Sequence, residues 1–194
     1  MEAVTQIRSK TVVIPNTDID TDQIIPARFL TTTSKIGLGQ YVFADWRFDS
    51  DGKPIGDFVL NKSEADDCEV LVAGHNFGCG SSREHAAWAL RDYGFRAVVS
   101  TGIAEIFRSN ALKNGIVPIE VDKGTHQWLL ANPRAELTID IGHNELLLPD
   151  GRKCVFSIDT FARYCLLYGV DPLGHLLNQE KAINTYERTH LCAQ

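Results

Sequence analysis

The chain has 194 residues, 44% of them hydrophobic, which suffices for a globular domain with a sizeable core. Its 19 basic and 25 acidic residues leave a net charge of −6, which argues against a general nucleic-acid or anionic-membrane surface. No apolar run approaches the roughly 18 residues of a membrane span, and the opening MEAVTQIRSK lacks the apolar core of a secretion signal, so the expected location is the cytoplasm.

Lys10–Ile14 reads as a short strand. Asp18, Asp20 and Asp22 follow as an acidic string, yet only part of a calcium loop is present: Gln23 stands where the pattern needs glycine, and no glutamate closes it. The string therefore reads as a capped turn before Pro26, with the aspartates accepting from nearby amides. Phe29 to Phe43, FLTTTSKIGLGQYVF, is polar and glycine-spaced and reads as a loop, and a loop held on a rigid scaffold can carry specificity.

Glu69–Ala73 (EVLVA) is a buried strand entering the stretch GHNFGCGSSREHAAWALRDYG over residues 74 to 94. Gly74, Gly78 and Gly80 permit positive φ and close backbone approach, and Ser81 with Glu84 matches the capping box S-x-x-E, which places the two serines and Arg83 in the first turn of a helix. Ala86, Ala87, Leu90 and Tyr93 recur at helical spacing up to Gly94, placed to end the helix. The amides and dipole of such an N-terminus favour an anion, and Arg83 adds a planar fork suited to a carboxylate. Taken alone, the same turn reads as a helix start. It is neither a P-loop, since no Gly-Lys-Ser/Thr follows, nor a hydrolase elbow, since Gly80-Ser81-Ser82-Arg83-Glu84 lacks the second glycine. His75 and His85 could act as acid or base, but His85 fits a structural hydrogen-bonding role better.

Further on, Arg96–Ser100 is a strand, a helix runs from about Ile103 to Asn114 and stops at Gly115, and Ile116–Val121 is again a strand. A helical stretch, Lys123–Ala131, precedes Pro133. Glu136–Ile141, Glu145–Leu148 and Cys154–Ser157 form a strand meander, with a turn at Pro149-Asp150-Gly151. Helices over Thr160–Leu167 and about Pro172–Ala182 close the chain, and residues 187–194 read as a tail. Strands alternating with helices predict an α/β layer structure in a single domain spanning 1–194. The five cysteines, Cys68, Cys79, Cys154, Cys165 and Cys192, are scattered without a C-x-x-C pair, a pattern suited to neither a disulfide framework nor a zinc or iron–sulfur site.

Three strings in order carry a resemblance. They are Asp20-Thr21-Asp22-Gln23-Ile24-Ile25-Pro26, then Asn76-Phe77-Gly78-Cys79-Gly80-Ser81-Ser82-Arg83-Glu84-His85-Ala86, then Ala104-Glu105-Ile106-Phe107-Arg108-Ser109-Asn110 running to Lys113-Asn114-Gly115-Ile116-Val117-Pro118-Ile119. Over roughly residues 8 to 182 the chain resembles the small subunits of 3-isopropylmalate dehydratase (isopropylmalate isomerase), relatives of the swivelling C-terminal domain of aconitase. The resemblance implies a swivelling β/β/α domain, a barrel-like and closed or nearly closed sheet flanked by helices. It implies a hydro-lyase that interconverts 2-isopropylmalate and 3-isopropylmalate through dehydration and rehydration in leucine biosynthesis, active only with a large subunit. The [4Fe-4S] cluster of that chemistry would sit on the large subunit, with no cofactor or metal on this chain, and Cys79 is then a small residue in a tight turn. The substrate that the resemblance implies is a small hydroxy-dicarboxylate.

By the same resemblance Ser81 is the general base that removes the proton next to a substrate carboxylate, Ser82 and Arg83 hold that carboxylate, and Thr21 and Asp22 stand beside the serine turn and orient it. The 30–39 loop would contact the part of the substrate that differs among relatives. Lys35 is its one cation, and Ile36 and Leu38 would offer an apolar lining suited to an isopropyl branch. Two departures from the common pattern are Lys35, where arginine is frequent, and Gly102-Ile103, where Ser-Phe is usual. Substrates of the dimethylmalate, citraconate or homoaconitate type are the nearest alternatives, and a non-catalytic anion-binding or assembly module whose serines only cap a helix is the reading from another class. Magnitude bears on the mechanism: a helix terminus contributes about 0.3 to 1 kcal/mol to an anion and one pKa unit corresponds to about 1.36 kcal/mol. The dipole alone lowers a serine pKa by less than about one unit, so further positive charge has to act on Ser81.

Overall fold

The computed structural model describes residues 2–191. Its strands are β1 (Gln6–Ile14), β2 (Val70–Ala73), β3 (Ala97–Ser100), β4 (Val117–Glu120), β5 (Glu136–Asp140), β6 (Glu145–Leu147) and β7 (Lys153–Val155). The helices are α1 (Thr21–Ile24), α2 (Ala44–Arg47), α3 (Glu84–Tyr93), α4 (Glu105–Lys113), α5 (Lys123–Ala131), α6 (Thr160–Tyr168), α7 (Pro172–Asn178) and α8 (Glu180–Leu191), with short 3-10 turns between α1 and β2. The strands make one seven-stranded sheet in the order β4-β3-β2-β1-β5-β6-β7. Strands β1 to β4 run parallel and β5 to β7 antiparallel. The sheet curls without closing, and β4 and β7 are its edges among the described residues.

β1 joins the two halves, which explains why it is longer than the Lys10–Ile14 expected. Its second half, Thr11–Ile14, pairs in parallel with Val70–Ala73, and its first half, Gln6–Lys10, pairs antiparallel with Asp140–Glu136. Strands β2 and β3 are buried at every position, as central parallel strands covered on both faces should be. Alternation then sorts their side chains. Leu71, Ala73 and Val98 enter a core with Phe77, Leu90, Phe95, Phe107 and Ile116, while Val70, Val72 and Val99 enter another with Leu129, Leu137, Ile139, Leu146 and Leu166. Thus α3 and α4 cover one face of the sheet, and α5 and α6 the other.

Three expectations need correction. The helix after the glycine turn begins at Glu84, with Arg83 at the N-cap position and no side chain capping it, so Ser81, Ser82 and Arg83 precede the helix and the capping box is not formed. The last helical stretch is two helices, α7 and α8, separated at Gln179, the C-cap of α7. Most of the expected tail is helical, since α8 continues to Leu191. Residues 192–194 of that tail, with Cys192, lie outside the described residues. No helix among the described residues is long and apolar enough to cross a membrane.

Gly78 fixes the glycine turn against α4. Its φ is +75°, and a Cβ built there would stand 2.3 Å from Cγ of Phe107, whose ring packs edge-on against Phe77 at 5.1 Å. Gly78→Ala should therefore combine a left-handed backbone with an overpacked contact and lower the unfolding free energy by about 1 to 3 kcal/mol or more. Denaturant titration of the variant reads this directly, and stability equal to wild type would mean that the turn does not rest on Phe107.

Candidate active site

β1, β2 and β3 are adjacent and parallel, so the segments after their carboxyl ends, residues 15–22, 74–83 and 101–104, emerge side by side. This is where open α/β sheets place ligands. The middle segment is the glycine turn, and the other two clamp it with backbone hydrogen bonds. From the 15–22 side, Asp18 N donates to the His75 carbonyl (2.8 Å), Thr21 N donates to the Cys79 carbonyl (3.0 Å), and Gly78 N donates to the Ile19 carbonyl (2.7 Å). From the other side, Phe77 N donates to the Gly102 carbonyl (3.0 Å) and Ala104 N to the Phe77 carbonyl (2.9 Å). The buried Ser100 hydroxyl adds bonds to the carbonyls of Gly74 (2.7 Å) and Gly102 (2.9 Å). Asn76, Gly78 and Gly80 all have positive φ, and in the path they give the turn the amides of Phe77 and Gly78 and the carbonyls of His75, Phe77 and Cys79 meet these neighbours.

On this frame the expected residues gather. Thr21 is buried, and its Oγ1 donates to the Ser81 carbonyl at 2.9 Å. Arg83 forms an ion pair with Asp22, at side-chain exposures of 20% and 49%. Ser81 and Ser82 are exposed on the turn just before α3. The acidic string behaves as the capped turn expected of it: Asp20 accepts from Gln23 N (2.8 Å) and the Gln23 side chain accepts from Asp20 N (2.9 Å). Asp18 accepts from Asn76 Nδ2 at 2.8 Å, and that bond chiefly holds its carboxyl below the ordinary aspartate value.

The histidines have structural partners. His75 Nδ1 meets Thr101 Oγ1 at 3.1 Å, and His85 Nε2 meets the Thr32 carbonyl at 2.9 Å. Gly102 gains a reason here, because a Cβ at that position would stand 2.6 Å from Cε1 of His75. Burial, followed by the charges of Asp20 and Asp18, pushes the Cys79 thiol up from its ordinary pKa, which disfavours the thiolate a metal needs.

The loop residues divide. Lys35 Nζ donates to Asn114 Oδ1 at 3.0 Å and lies 5.1 Å from the centre of the Trp88 ring. Ile36 is 84% exposed. Leu38, expected to line a pocket beside it, is only 2% exposed and belongs to the core with Leu90 and Phe95, so of the two only Ile36 is presented outward. Reasoning from sequence missed Asn114, which joins the loop to the helices: besides receiving Lys35, its Nδ2 donates to Glu84 Oε1 at 3.0 Å. In the sequence it signals only a helix end before Gly115.

Residues 1–124 match the aconitase C-terminal domain family. The chain is 58% identical over 187 residues to the 3-isopropylmalate dehydratase small subunit of Anaeromyxobacter dehalogenans (strain 2CP-C), covering 96% of this chain and 98% of that protein. The protein of the same name from Roseiflexus castenholzii is 52% identical over 194 residues, covering 98% of this chain and 95% of the relative. Among solved structures, a crystal structure of 3-isopropylmalate dehydratase from Methanocaldococcus jannaschii superposes with a TM-score of 0.67 at 27% identity, covering 94% of this chain and 99% of that one.

Glu84 supplies a pH test of the frame. The hydrogen bond from Asn114 is the largest influence on it; burial opposes, Trp88, Lys35 and Lys113 assist, and the net effect holds the carboxyl below the ordinary glutamate value. A group depressed in the folded state contributes stability that is full above its unfolded pKa and is lost as pH falls through the folded one. The gap in melting temperature between wild type and Glu84→Gln should thus be widest near neutral pH and narrow as pH drops below the ordinary glutamate range. A gap that stays constant through that range would show that the Glu84 charge contributes nothing to the network.

Proposed function

The chain belongs to the family of 3-isopropylmalate dehydratase small subunits, and we propose that it serves as the small subunit of a heteromeric hydro-lyase interconverting 2-isopropylmalate and 3-isopropylmalate in leucine biosynthesis. One observation carries the assignment of the site: the exposed Ser81 stands between Thr21 and the Arg83–Asp22 pair, on a turn fixed at the carboxyl ends of three parallel strands. In this reading Ser81 Oγ takes and returns the carbon-bound proton. Ser82 and the Arg83 guanidinium hold the neighbouring carboxylate, Thr21 fixes the Ser81 backbone, and Asp22 orients the Arg83 fork. Lys35 and Ile36 face the part of the substrate that varies among hydroxy-dicarboxylates, with Leu38 supporting them from the core.

A serine base needs more positive potential than α3 alone provides, and Arg83 is the cation nearest in sequence. Its pairing with Asp22 is partly exposed, a geometry in which ion pairs contribute little, so a substrate carboxylate can share the guanidinium. We assign the [4Fe-4S] cluster to the large subunit. The donors here do not suit it, since no group of three or more His, Cys, Asp or Glu side chains among the described residues is placed to hold a metal. A single-domain organisation belongs to this reading, supported by one sheet whose two faces carry both cores. So does a cytoplasmic location, supported by the free thiols of Cys68, Cys79, Cys154 and Cys165.

Ser81→Ala, assembled with the large subunit, should lose on the order of 10² to 10⁴ in kcat with little change in KM. Because Ser81 does not cap α3, the melting temperature should stay near wild type. A variant that turns over normally would remove Ser81 from the chemistry. Arg83→Lys keeps the charge but loses the fork, and should raise KM more than it lowers kcat, since a charged hydrogen bond is worth about 1.5 to 3 kcal/mol. Side-by-side turnover of isopropylmalate, dimethylmalate, citraconate and homoaconitate by the same complex tests the substrate, and preference for one of the last three would overturn the assignment to isopropylmalate.

A further inference from the structure

His85, Trp88 and Asp92 follow one another at i, i+3 and i+7 along α3, so they share one stripe of that helix. Each holds a different part of the loop between Thr32 and Gly39. His85 Nε2 meets the Thr32 carbonyl at 2.9 Å. The ring of Trp88 lies under the Lys35 ammonium at 5.1 Å. Asp92 Oδ2 accepts from two backbone amides, Gly37 N at 2.9 Å and Gly39 N at 2.7 Å. Gly39 lies flush on the end of the helix, where a Cβ would stand 2.5 Å from the Tyr93 amide nitrogen.

We propose that His85 and Asp92 are positioning residues which fasten the 32–39 loop along α3 and thereby set the enzyme's preference for the branch of its substrate. Between the two fastenings the loop reaches the body through the Lys35 side chain, and its remaining polar bonds there are local, among them Ser34 N to Thr32 Oγ1 at 3.0 Å and Ile36 N to Ser34 Oγ at 3.2 Å. Such bonds shape the loop without fixing it to the body. The helix stripe holds the loop's backbone, with Asn114 at the end of α4 adding a hold on the Lys35 side chain, and the stripe does so from the element that begins directly after Ser81, Ser82 and Arg83. Lys35 is drawn down onto Trp88 and Asn114 while Ile36 is turned outward at 84% exposure. Loop and serine turn are therefore in register through one rigid helix. A loop released from the stripe would populate the binding geometry for only part of the time, and apparent affinity falls by that fraction.

The substrate part of this inference rests on the proposed function, and the fastening itself does not. Full-length Asp92→Ala and Asp92→Asn, assembled with the large subunit, test both. Turnover is read on isopropylmalate and on the analogue with methyl in place of isopropyl, and loop release is read as the rate of tryptic cleavage after Lys35 in the full chain. Asp92→Ala should cleave faster at Lys35, raise KM for isopropylmalate on the order of tenfold, leave kcat within about twofold, and narrow the ratio between the two substrates. Asp92→Asn should restore all of these, because a single oxygen accepts both amides and an amide side chain retains one. Faster cleavage with KM and ratio unchanged would show that the fastening does not set specificity, leaving the proposed function intact. Cleavage unchanged by Asp92→Ala would overturn the fastening, as would Asn behaving like Ala. A wild-type complex that prefers another hydroxy-acid would overturn the proposed function instead, with the same ratio then measured on that acid and its smaller analogue.

Discussion

The site depends on a backbone clamp. Residues 75–83 leave the sheet in a path of alternating positive-φ positions, Asn76, Gly78 and Gly80, that cannot continue a strand ladder or begin a helix. Their amides and carbonyls need partners all the same, because an unpaired buried backbone group costs as much as a lost hydrogen bond. The partners are Ile19, Thr21 and Asp18 on one side and Gly102 and Ala104 on the other. These segments are within reach only because β1, β2 and β3 are neighbours in the sheet and all parallel. The strand order thus fixes the turn, and the turn sets where Ser81 and Arg83 stand.

Electrostatics act on top of that frame. In the proposed reading Arg83 is oriented before any substrate arrives, because Asp22 pairs with Nη1 of its guanidinium from a segment that the clamp has already placed. Pre-orientation of this kind reduces the ordering cost of binding. It also offsets the positive charge of the guanidinium, since the aspartate carries an equal and opposite one. Both effects come from one contact, which is half open to water on the Asp22 side, where screening keeps the pairing weak enough for another carboxylate to enter.

Much of the fold is legible in the sequence where the signal is local. EVLVA and RAVVS are short apolar runs, and they are buried strands because both faces of a central parallel sheet are covered. Lys123–Ala131 is bounded as expected, with Asp122 capping its first turn through Thr125 N at 3.0 Å. The misses are tertiary. Gln6–Lys10 has a single strongly apolar residue, Ile7, and becomes a strand because β5, far along the chain, pairs with it. Ser81-x-x-Glu84 matches a capping box, but the Glu84 carboxylate is engaged by Trp88 and by Asn114, 30 residues away. Leu38 and Ile36 are indistinguishable as apolar residues in a polar loop, yet one enters the core and the other faces outward. For the site, the strings holding Thr21, Asp22, Ser81 and Arg83 are readable in one dimension. The sequence does not reveal that α3 carries both the serine turn at one end and the loop along its side.

Exposure of the two serines has a consequence for how the activity is divided between chains. A hydroxyl open to water gains little from a dipole or from one guanidinium, because solvent screens them. The same groups act far more strongly once water is excluded and the donors are already fixed. This chain supplies the fixed donors: a clamped turn, a pre-oriented Arg83 and a loop fastened beside them. It leaves the outer side of Ser81 and Ser82 uncovered. A second surface that closes over them, with the substrate between, would supply the exclusion that the small chain lacks, so in the proposed reading the active site is a property of the assembled pair, and placement of the small chain's residues is its contribution.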